Sequence, residues 1–451
     1  MRFKVLISRG LLLLIFFGCQ IESKCQSDNW PNWRGINADG VSLTGTPPTE
    51  WSEEKNIKWK TPIPGKGVGT PVSWGDQIFL TSAIELDRKA AEEVIKEMKK
   101  KTPGMAKIMG YSETTEQFLQ FVVHSINRNN GEILWTKVVR EQYPHEGINV
   151  NGSWASASCT TDGEHVIASF GSYGIYCFDL QGNLIWEKDL GDMSIDMTFG
   201  EGTSPVLYQD KLIILWDHEG QSKLYVLDKR TGLTQWVKDR EEGTTWSTPL
   251  VKKVDGHAQI IVAGYSKSVG YDLNSGDLVW ELKGLGQGII ASPVSNGQKC
   301  FLMTGYGKVK MLQAVNLQNA HGDIENTDAV AWTTSSSTSY VPSPLLANGK
   351  LYYLKGSRAQ LSCVDAPTGS VHYEAENLEG LKGAYASPVY ANGNIYILDR
   401  KGSCAVVDEG ASFKVIAKNK LDDNFDASPV IIGKDLFLRG FNNLYCINDK
   451  E

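Results

Sequence analysis

The segment Asp228-Lys229-Arg230-Thr231-Gly232-Leu233-Thr234-Gln235-Trp236 decides the fold, because it returns as Asp272-Leu273-Asn274-Ser275-Gly276-Asp277-Leu278-Val279-Trp280. In each copy an Asp ends a strand, a Gly permits a tight turn, and a Trp lies in the strand that follows. A short Asp side chain accepts hydrogen bonds from the turn after it, so the pattern is typical of a hairpin. A hairpin that recurs at a steady spacing indicates a repeat architecture.

Pairs of Ser or Thr with Pro mark the start of each copy, mostly 41 to 51 residues apart. A degenerate copy at Ser156-Ala157-Ser158 fills the one large gap and brings the copies to eight. A period in the forties with four strand-like segments is typical of a propeller blade. The sequence therefore predicts an all-β fold, an eight-bladed β-propeller whose four-stranded antiparallel blades have strands A to D. The pairs are Thr70-Pro71, Ser204-Pro205, Thr248-Pro249, Ser292-Pro293, Ser343-Pro344, Ser387-Pro388 and Ser428-Pro429.

The last copy stops after strand C, at residues 443–448, and no residues remain for its strand D. A strand-like segment, Ile57-Lys58-Trp59-Lys60, precedes the first strand A. We expect this N-terminal strand to complete the eighth blade, because closure removes the free edges between first and last blades.

Cysteine and tryptophan occupy fixed columns of the repeat. Cys177, Cys363 and Cys446 each stand two residues before the Asx that ends strand C, where the neighbouring copies carry small or medium side chains. We therefore expect buried free thiols there. The tryptophans of strand D are expected to pack between neighbouring blades.

The N-terminus resembles an export signal. Arg2, Lys4 and Arg9 precede a short apolar run at 11–17, and residues 1–18 are predicted to be a signal peptide. Phe16-Phe17-Gly18-Cys19 is similar to a bacterial lipobox, which predicts a lipid anchor on Cys19; ordinary cleavage and release is the alternative. The protein is expected in the periplasm or at the outer membrane.

Two segments lie outside the repeat. Residues 19–56 are predicted to form an N-terminal strap or linker before the propeller at 57–451. Residues 84–120 interrupt the first blade, with a helix expected from Ala90 to Lys101. This insertion is either a solvated excursion or an element for docking a partner.

The chain carries a net charge of −7 and has a pI near 5.7. Such a chain lacks the basic field that holds phosphates, so no nucleic-acid partner is expected.

The motif Asp-x-x-(Thr/Ser)-Gly-x-x-x-Trp, complete at 228–236 and 272–280 and partial at 365–369, resembles the repeat of the pyrroloquinoline-quinone (PQQ)-like propellers. This resemblance covers residues 57–451 and implies the fold without fixing the function. The family includes PQQ-dependent dehydrogenases, which are enzymes, and BamB-like envelope scaffolds, which bind no quinone. The resemblance to the dehydrogenases implies an adjacent cysteine pair and calcium ligands, and no adjacent cysteines occur here.

The loops before strand A and between strands B and C open on one face of a propeller, which we call the mouth. Aromatic, acidic and basic residues cluster in these loops, as is usual for ligand sites. His218 stands between two acidic residues, but three neighbours on a loop cannot all face one ion, so no metal site is predicted. The candidate ligand-binding residues are Trp154, Glu201, Asp217, His218, Trp246, Tyr265, Lys267, Tyr340, Arg358, Tyr385, Arg400, Asp426 and Arg439; Tyr173, Tyr306, Lys308 and Lys401 share these loops.

The sequence favours an exported, non-catalytic propeller that acts as a binding or assembly module at the cell envelope. Its partner is expected to be an envelope protein or a glycan, with no bound cofactor and with membrane contact through the lipid anchor alone. Two alternatives stay open. One is a PQQ-dependent dehydrogenase that uses PQQ with calcium, and the other is a cell-surface polysaccharide-binding protein.

Overall fold

The computed structural model describes residues 29–307 and 310–449 and arranges eight sheets of antiparallel strands as the blades of a propeller. This confirms the predicted all-β, eight-bladed fold. The predicted signal peptide (1–18), Cys19 and Lys308 lie outside the described residues. Within the part of the chain that is described, no helix is long and apolar enough to cross a membrane.

Each blade runs A to D outward from the central channel. Blade 1 consists of β2 (Val72–Trp74), β3 (Gln77–Lys89), β5 (Gln117–Asn127) and β6 (Ile133–Gln142), and blade 2 of β8 (Thr160–Thr161), β9 (Val166–Ser169), β10 (Ile175–Phe178) and β11 (Leu184–Lys188). Blade 3 consists of β12 (Val206–Tyr208), β13 (Lys211–Trp216), β14 (Lys223–Asp228) and β15 (Thr234–Asp239), and blade 4 of β16 (Leu250–Val254), β17 (His257–Val262), β18 (Lys267–Asp272) and β19 (Leu278–Lys283).

Blades 5 to 8 repeat this order. Blade 5 consists of β20 (Val294–Ser295), β21 (Lys299–Thr304), β22 (Met311–Asn316) and β24 (Val330–Thr334), and blade 6 of β25 (Leu345–Ala347), β26 (Lys350–Leu354), β27 (Gln360–Asp365) and β28 (Val371–Asn377). Blade 7 consists of β29 (Val389–Ala391), β30 (Asn394–Leu398), β31 (Ser403–Asp408) and β32 (Val415–Lys420), and blade 8 of β33 (Val430–Ile432), β34 (Asp435–Arg439), β35 (Asn443–Ile447) and β1 (Ile57–Pro62).

Blade 8 is closed by the N-terminal strand, as the sequence predicts. Strand β1 pairs antiparallel with β35, with Lys60 opposite Tyr445 and Thr61 opposite Leu444. Trp59 on β1 is buried and packs against Phe437 of the same blade, with ring centroids 5.9 Å apart. The two ends of the propeller are therefore held in one sheet, and β1 covers the edge that β35 would otherwise leave unpaired.

A closed ring of hydrogen bonds joins the inner ends of all eight blades. In each blade the Ser or Thr that precedes strand A donates its backbone N–H to the side-chain hydroxyl of the equivalent residue in the next blade, at 2.8 to 3.1 Å. Ser428 donates to Thr70, so the last blade returns to the first. The degenerate copy contributes Ser158. This hydroxyl ring consists of Thr70, Ser158, Ser204, Thr248, Ser292, Ser343, Ser387 and Ser428.

The tryptophan column joins the outer parts of neighbouring blades. Trp186 of blade 2 donates its indole N–H to the carbonyl of Lys229 in blade 3, at 2.8 Å, and its ring lies against Gly232 of that turn. Equivalent bonds run from Trp59, Trp135, Trp236 and Trp332 to the carbonyls of Arg128, Leu180, Leu273 and Ala366. The predicted packing between blades is thus confirmed, and each indole also caps a turn of its neighbour.

The joint between blades 4 and 5 is built differently. Trp280 is fully buried, and its N–H bonds to Gln259 of its own blade at 3.0 Å. The segment after β22 carries the short strand β23 (Gly322–Asp323), which adds to β19 in parallel as a fifth strand. This segment covers Trp280 where other blades present a turn.

The cysteines behave as the repeat predicts. Cys177, Cys363 and Cys446 lie in strand C, and these and the other three cysteines within the described residues are buried and unpaired. Burial raises the pKa of the Cys177 thiol to about 12, so it is a packing residue and not a reactive thiolate.

Residues before β1 cross the channel on the side opposite the mouth. Trp30 pairs with Ser73 of blade 1, and Val41 forms a bridge with Tyr390 of blade 7. Between them Arg34 is buried and donates to the carbonyls of Pro344 and Pro388, at 2.6 and 3.0 Å. This segment therefore connects blade 1 with blades 6 and 7.

The insertion of blade 1 extends on the mouth side. Helix α1 (Glu92–Lys101) and helix α2 (Gly104–Ile108) lie between β3 and β5, which extend beyond the blade. Strand β4 (Ser112–Glu113) then pairs with β7 (Ile148–Asn149), which follows blade 1. Short 3-10 turns occur at Gly171–Tyr173, Asp196–Thr198 and Leu317–Asn319.

The hydroxyl ring makes a prediction for stability. Ser387→Ala leaves the buried N–H of Ser343 without its acceptor and should lower the free energy of unfolding by roughly 1–3 kcal/mol, measured by urea denaturation. Ser387→Thr keeps a hydroxyl, as at Thr70 and Thr248, so its free energy of unfolding should fall much less. Ser412→Ala, at an exposed position, is the control. Equal losses in the two alanine variants would show that the ring does not stabilise the fold.

The indole joints make a second prediction. Gly232 and Gly349 both have positive φ, +69° and +76°, so Ala at either position costs roughly 1–2 kcal/mol of backbone strain. A Cβ on Gly232 would also lie 2.8 Å from the Trp186 ring, whereas one on Gly349 meets open space. Gly232→Ala should therefore cost roughly 1–3 kcal/mol more than Gly349→Ala in thermal or urea unfolding. Equal effects would contradict a tight joint.

Candidate functional site

A cavity of about 240 Å³ lies at the mouth, where the loops before the strands A converge on the channel. Five of the predicted ligand residues line it, together with members of the hydroxyl ring and Asn149, Asn151 and Phe199 of the loop after blade 1 and the loop before blade 3. We call it the mouth cavity. The five predicted residues are Glu201, Trp246, Tyr340, Tyr385 and Asp426.

Trp33, which lies outside the repeat and was not predicted to be a ligand residue, forms the floor of this cavity. It lines the mouth cavity and also a second cavity of about 230 Å³ on the opposite side, beside Arg34 and Ala38. The channel is therefore divided by a side chain from outside the repeat. The Trp33-Arg34-Gly35 sequence was the available signal, but its position depends on contacts with several distant blades.

The acid and the cation of blades 7 and 8 neutralise each other. Arg400 binds Asp426 with two hydrogen bonds, Nε to Oδ1 at 2.7 Å and a second nitrogen to Oδ2 at 3.0 Å. The guanidinium also stacks on Tyr385, 4.1 Å from the ring centroid. Asn151 approaches the Tyr385 hydroxyl at 3.5 Å. The cluster is a fixed wall of the mouth cavity, with its charges already used.

A smaller cavity of about 40 Å³ opens off the mouth cavity between blades 2 and 3. Trp246 and Glu201 line both spaces, and Trp154 and Glu146 line the smaller one. Each tryptophan is held by its indole N–H: Trp154 donates to the carbonyl of Glu146 at 3.4 Å, and Trp246 to that of Gly200 at 2.7 Å. The indoles thus fix the loops that carry the two carboxyl groups.

Both carboxyl groups of this side cavity are easier to protonate than usual. Glu201 accepts hydrogen bonds from the backbone N–H of Ser172, at 2.8 Å, and from its hydroxyl. Burial outweighs these bonds and raises the pKa of Glu201 to about 8. Burial likewise raises the pKa of Glu146 to about 7. At neutral pH Glu201 is therefore mostly protonated, and Glu146 is about half protonated.

Gly171 is required beside Glu201. It has a φ of +58°, and a Cβ there would collide with the Glu201 carboxylate. The glycine lets the loop of blade 2 approach the acid closely enough for Ser172 to bind it.

Asp217 and His218 serve the fold of blade 3. Asp217 forms a buried two-bond ion pair with Arg240, at 2.8 and 3.0 Å. His218 accepts the backbone N–H groups of Ser194 and Gly220 at Nδ1, which leaves Nε2 as a donor to the carbonyl of Gln221. This neutral tautomer has no lone pair left for a ligand, and burial lowers the pKa of His218 further.

The other predicted residues are dispersed. Tyr265 and Arg358 are exposed, and Lys267 pairs with Glu281 at 2.8 Å. Arg439 is fully buried between blades and does not line the mouth cavity, which corrects the expectation that it lies at the rim. The physical reason is that blade 8 has a short B–C loop, so the end of β34 stays inside the sheet stack.

Tyr306, which shares these loops, stacks on Tyr340 with centroids 4.9 Å apart. Tyr306 is 43% exposed, so the pair forms an aromatic step at the rim. Burial also raises the pKa of the Tyr340 hydroxyl well above its usual range.

The donor set of the mouth does not match a quinone–calcium site. Calcium takes about six to eight oxygen ligands, several of them carboxylates. Of the two acids in the mouth cavity, Asp426 is neutralised by Arg400 and Glu201 is bound by Ser172. Among residues 29–307 and 310–449, no group of three or more His, Cys, Asp or Glu side chains is placed to hold a metal ion.

Comparisons with known proteins agree on the fold. A family profile described as outer membrane protein assembly factor BamB matches residues 119–372 and 321–414. No curated protein matches the chain by sequence.

Among solved structures, BamB from Moraxella catarrhalis has a TM-score of 0.52 at 15% identity, covering 82% of this chain and 98% of that one. A quinohemoprotein alcohol dehydrogenase from Comamonas testosteroni has a TM-score of 0.50 at 13% identity, covering 96% and 82%. The computationally designed protein Ika8 has a TM-score of 0.51 at 10% identity, covering 75% and 95%. At such identities the similarity is one of fold alone.

The acid pair predicts a pH dependence. A folded-state pKa of about 8 for Glu201 lies above the usual value of 4.5, so folding takes up a proton between these values. The stabilisation by the neutral acid is complete below about pH 4.5 and is lost as the pH rises through 8. Glu201→Gln, which keeps the shape without the charge, should therefore flatten the fall of the unfolding free energy between pH 5 and about 9.

Glu187→Gln, at an exposed position of the preceding strand β11, is the matched control and should leave the pH profile unchanged. Urea denaturation at each pH provides the measurement. A wild-type profile that is flat above pH 5, or a Gln variant with an unaltered slope, would show that Glu201 is ionised in the folded protein.

Proposed function

The chain belongs to the propeller family described as outer membrane protein assembly factor BamB, and from that premise we propose that it is an exported, non-catalytic module that binds a protein partner in outer-membrane protein assembly. The predicted leader and the predicted lipid anchor at Cys19 would place it at the envelope. The proposal rests chiefly on one observation, an exposed apolar patch that the insertion places beside the mouth.

This insertion patch consists of exposed side chains on α2 and the chain around β4 and β7. Ile108 is 85% exposed and Met105 is 61% exposed. Met105, Ile108 and Met109 are three or four residues apart, so they share one face of the helical segment. Large apolar groups clustered on a surface mark interaction sites more often than scattered ones do. The patch consists of Met105, Ile108, Met109, Tyr111 and Val150.

The patch is attached firmly to the propeller. Val150 donates its N–H to the carbonyl of Tyr111 at 3.0 Å, which joins the two halves of the patch. Ser112 bonds to the Thr198 hydroxyl at 2.8 Å and so ties the insertion to the loop before blade 3. A surface that is ordered before binding loses less entropy on association than a mobile one does. The geometry therefore supports a preformed protein-docking face.

The mouth itself supports a binding role without catalysis. The charges of its central residues are neutralised within the protein, as in the Arg400–Asp426 pair. A catalytic base needs a group that is available to the substrate, and Asp426 has a side chain only 5% exposed. We therefore infer that the mouth has no PQQ–calcium centre and that its aromatic rim extends the docking face.

The test is in-cell photo-crosslinking from the patch. A photoreactive residue at Ile108 should crosslink a component of outer-membrane protein assembly, identified by mass spectrometry. The matched control is Leu233, which is 67% exposed in the C–D turn of blade 3, on the face opposite the mouth. Met105→Asp introduced with the Ile108 probe should lower the crosslink yield about tenfold or more, because it places a charge in an apolar interface.

Two outcomes would contradict the proposal. One is equal crosslinking from Ile108 and Leu233. The other is saturable binding of PQQ in the presence of Ca²⁺ with dye reduction by an alcohol, which would support the dehydrogenase alternative. Crosslinks from Ile108 to polysaccharide alone would support the glycan-binding alternative.

A further inference from the structure

Arg439, at the end of β34 in blade 8, is a buried cation without a visible partner. Its side chain is 1% exposed, and none of its Nε, Nη1 and Nη2 atoms has a hydrogen-bond partner within the described residues. A guanidinium has five N–H donors and stays charged at neutral pH. Burying it unpaired is strongly unfavourable.

In the other two buried arginines of the described chain both terminal nitrogens have acceptors, although Nε of Arg34 has none. Arg34 donates to the carbonyls of Pro344, Pro388 and Asp39, at 2.6 to 3.0 Å. Arg240 makes two hydrogen bonds to Asp217 and a third to the Tyr271 hydroxyl. Arg439 is the exception, so its missing acceptors cannot be ascribed to a general looseness of the fold.

The nearby acid is not available to Arg439. Asp423 acts on Arg439 through space, but no ion pair joins them. Both Asp423 oxygens accept hydrogen bonds from the backbone and side-chain N–H groups of Asn442 and Asn443, at 3.0 to 3.3 Å. Its charge is therefore used to shape the B–C loop of blade 8.

The neighbouring histidine cannot supply the missing acceptor either. His124 of blade 1 is fully buried, and its two ring nitrogens bond to the hydroxyls of Ser82 and Thr136. Burial and the positive charge of Arg439 lower the pKa of His124 to about 4, so the ring is neutral at pH 7. The charge of Arg439 therefore faces a neutral, polar surface of blade 1.

The guanidinium lies in the seam between the last and first blades. A Cβ on Gly67 would be 3.1 Å from Nη2 of Arg439 and 3.3 Å from the Cα of Ser82. The loop that carries Gly67 thus covers the Arg439 head group and the inner side of blade 1 together. Absence of a side chain at position 67 keeps this contact possible.

We propose that Arg439 binds a small monovalent inorganic anion of halide size in the seam between blades 8 and 1. Such an ion accepts several N–H groups at once and neutralises one charge. A divalent anion would require a second cation, and the described residues provide none in contact with Arg439. The anion would join the two blades whose strands come from opposite parts of the chain.

Bromide provides the direct probe. Crystals of the wild-type mature protein grown in sodium bromide should show an anomalous peak beside the Arg439 guanidinium. In solution, Tm should rise with the logarithm of chloride or bromide concentration at constant ionic strength, with gluconate as the balancing ion, because only the folded state has the site. Arg439→Met should abolish the halide-specific rise, whereas Arg358→Met, at an exposed arginine, should retain it.

Several results would overturn this inference. Water alone at the guanidinium in bromide-grown crystals would do so, as would a wild-type Tm that is equal in halide and gluconate. A halide effect that persists in Arg439→Met would show binding elsewhere. If Arg439→Met does not fold, the wild-type anomalous map still decides, and none of these results depends on the function of the mouth.

Discussion

The hydroxyl ring is the constraint on which the rest of the structure depends. Each blade begins with a backbone N–H that must be bonded because it is buried, and the acceptor is always the side chain of the following blade. The angle between neighbouring blades is therefore set by a short, directional contact at the axis. The indoles set the same spacing farther out, where Trp186 or Trp332 fixes a turn of the next blade. The mouth cavity has its size because these inner contacts hold eight strands A at a constant radius.

The same geometry explains why few unpaired charges face the mouth. Residues just before strand A and at the end of strand B come from adjacent blades and meet in pairs. Arg400 meets Asp426 in this way, whereas Asp217 is paired within blade 3 by Arg240, which follows strand D of that blade. The other side chains that line the mouth cavity are mostly aromatic or hydroxylic, and burial raises the pKa of Glu201 there and of Glu146 in the adjoining side cavity. Recognition by shape and apolar contact suits this surface better than charge does.

The fold could be predicted from the sequence because the repeat contains the residues of most joints between blades; the joint at Trp280 is an exception. The Ser/Thr-Pro pairs became the hydroxyl ring, and the Asx-Gly-Trp spacing became the indole joints. The site was predicted less well. Trp246 and Tyr385 were correctly predicted at the mouth cavity from their positions in loops. The same criterion wrongly included Arg439, which is buried between blades. Whether a residue at the end of strand B faces the channel depends on the length of its loop and on a partner hundreds of residues away. Trp33 was missed for a related reason, because nothing in the repeat indicates which non-repeat side chain enters the channel.

Closure by β1 and β35 has a consequence for the order in which the chain folds as it is synthesised. Strand Ile57–Pro62 emerges early, yet its partner Asn443–Ile447 is synthesised near the end. Until both are present, Thr70 has no donor from Ser428, and blade 8 has an exposed strand edge. Six or seven blades can form in sequence, but the channel has no fixed radius until the final one arrives. A nascent chain that lacks its last strands therefore has an open ring with an unpaired strand edge, which is the kind of edge that favours aggregation during folding.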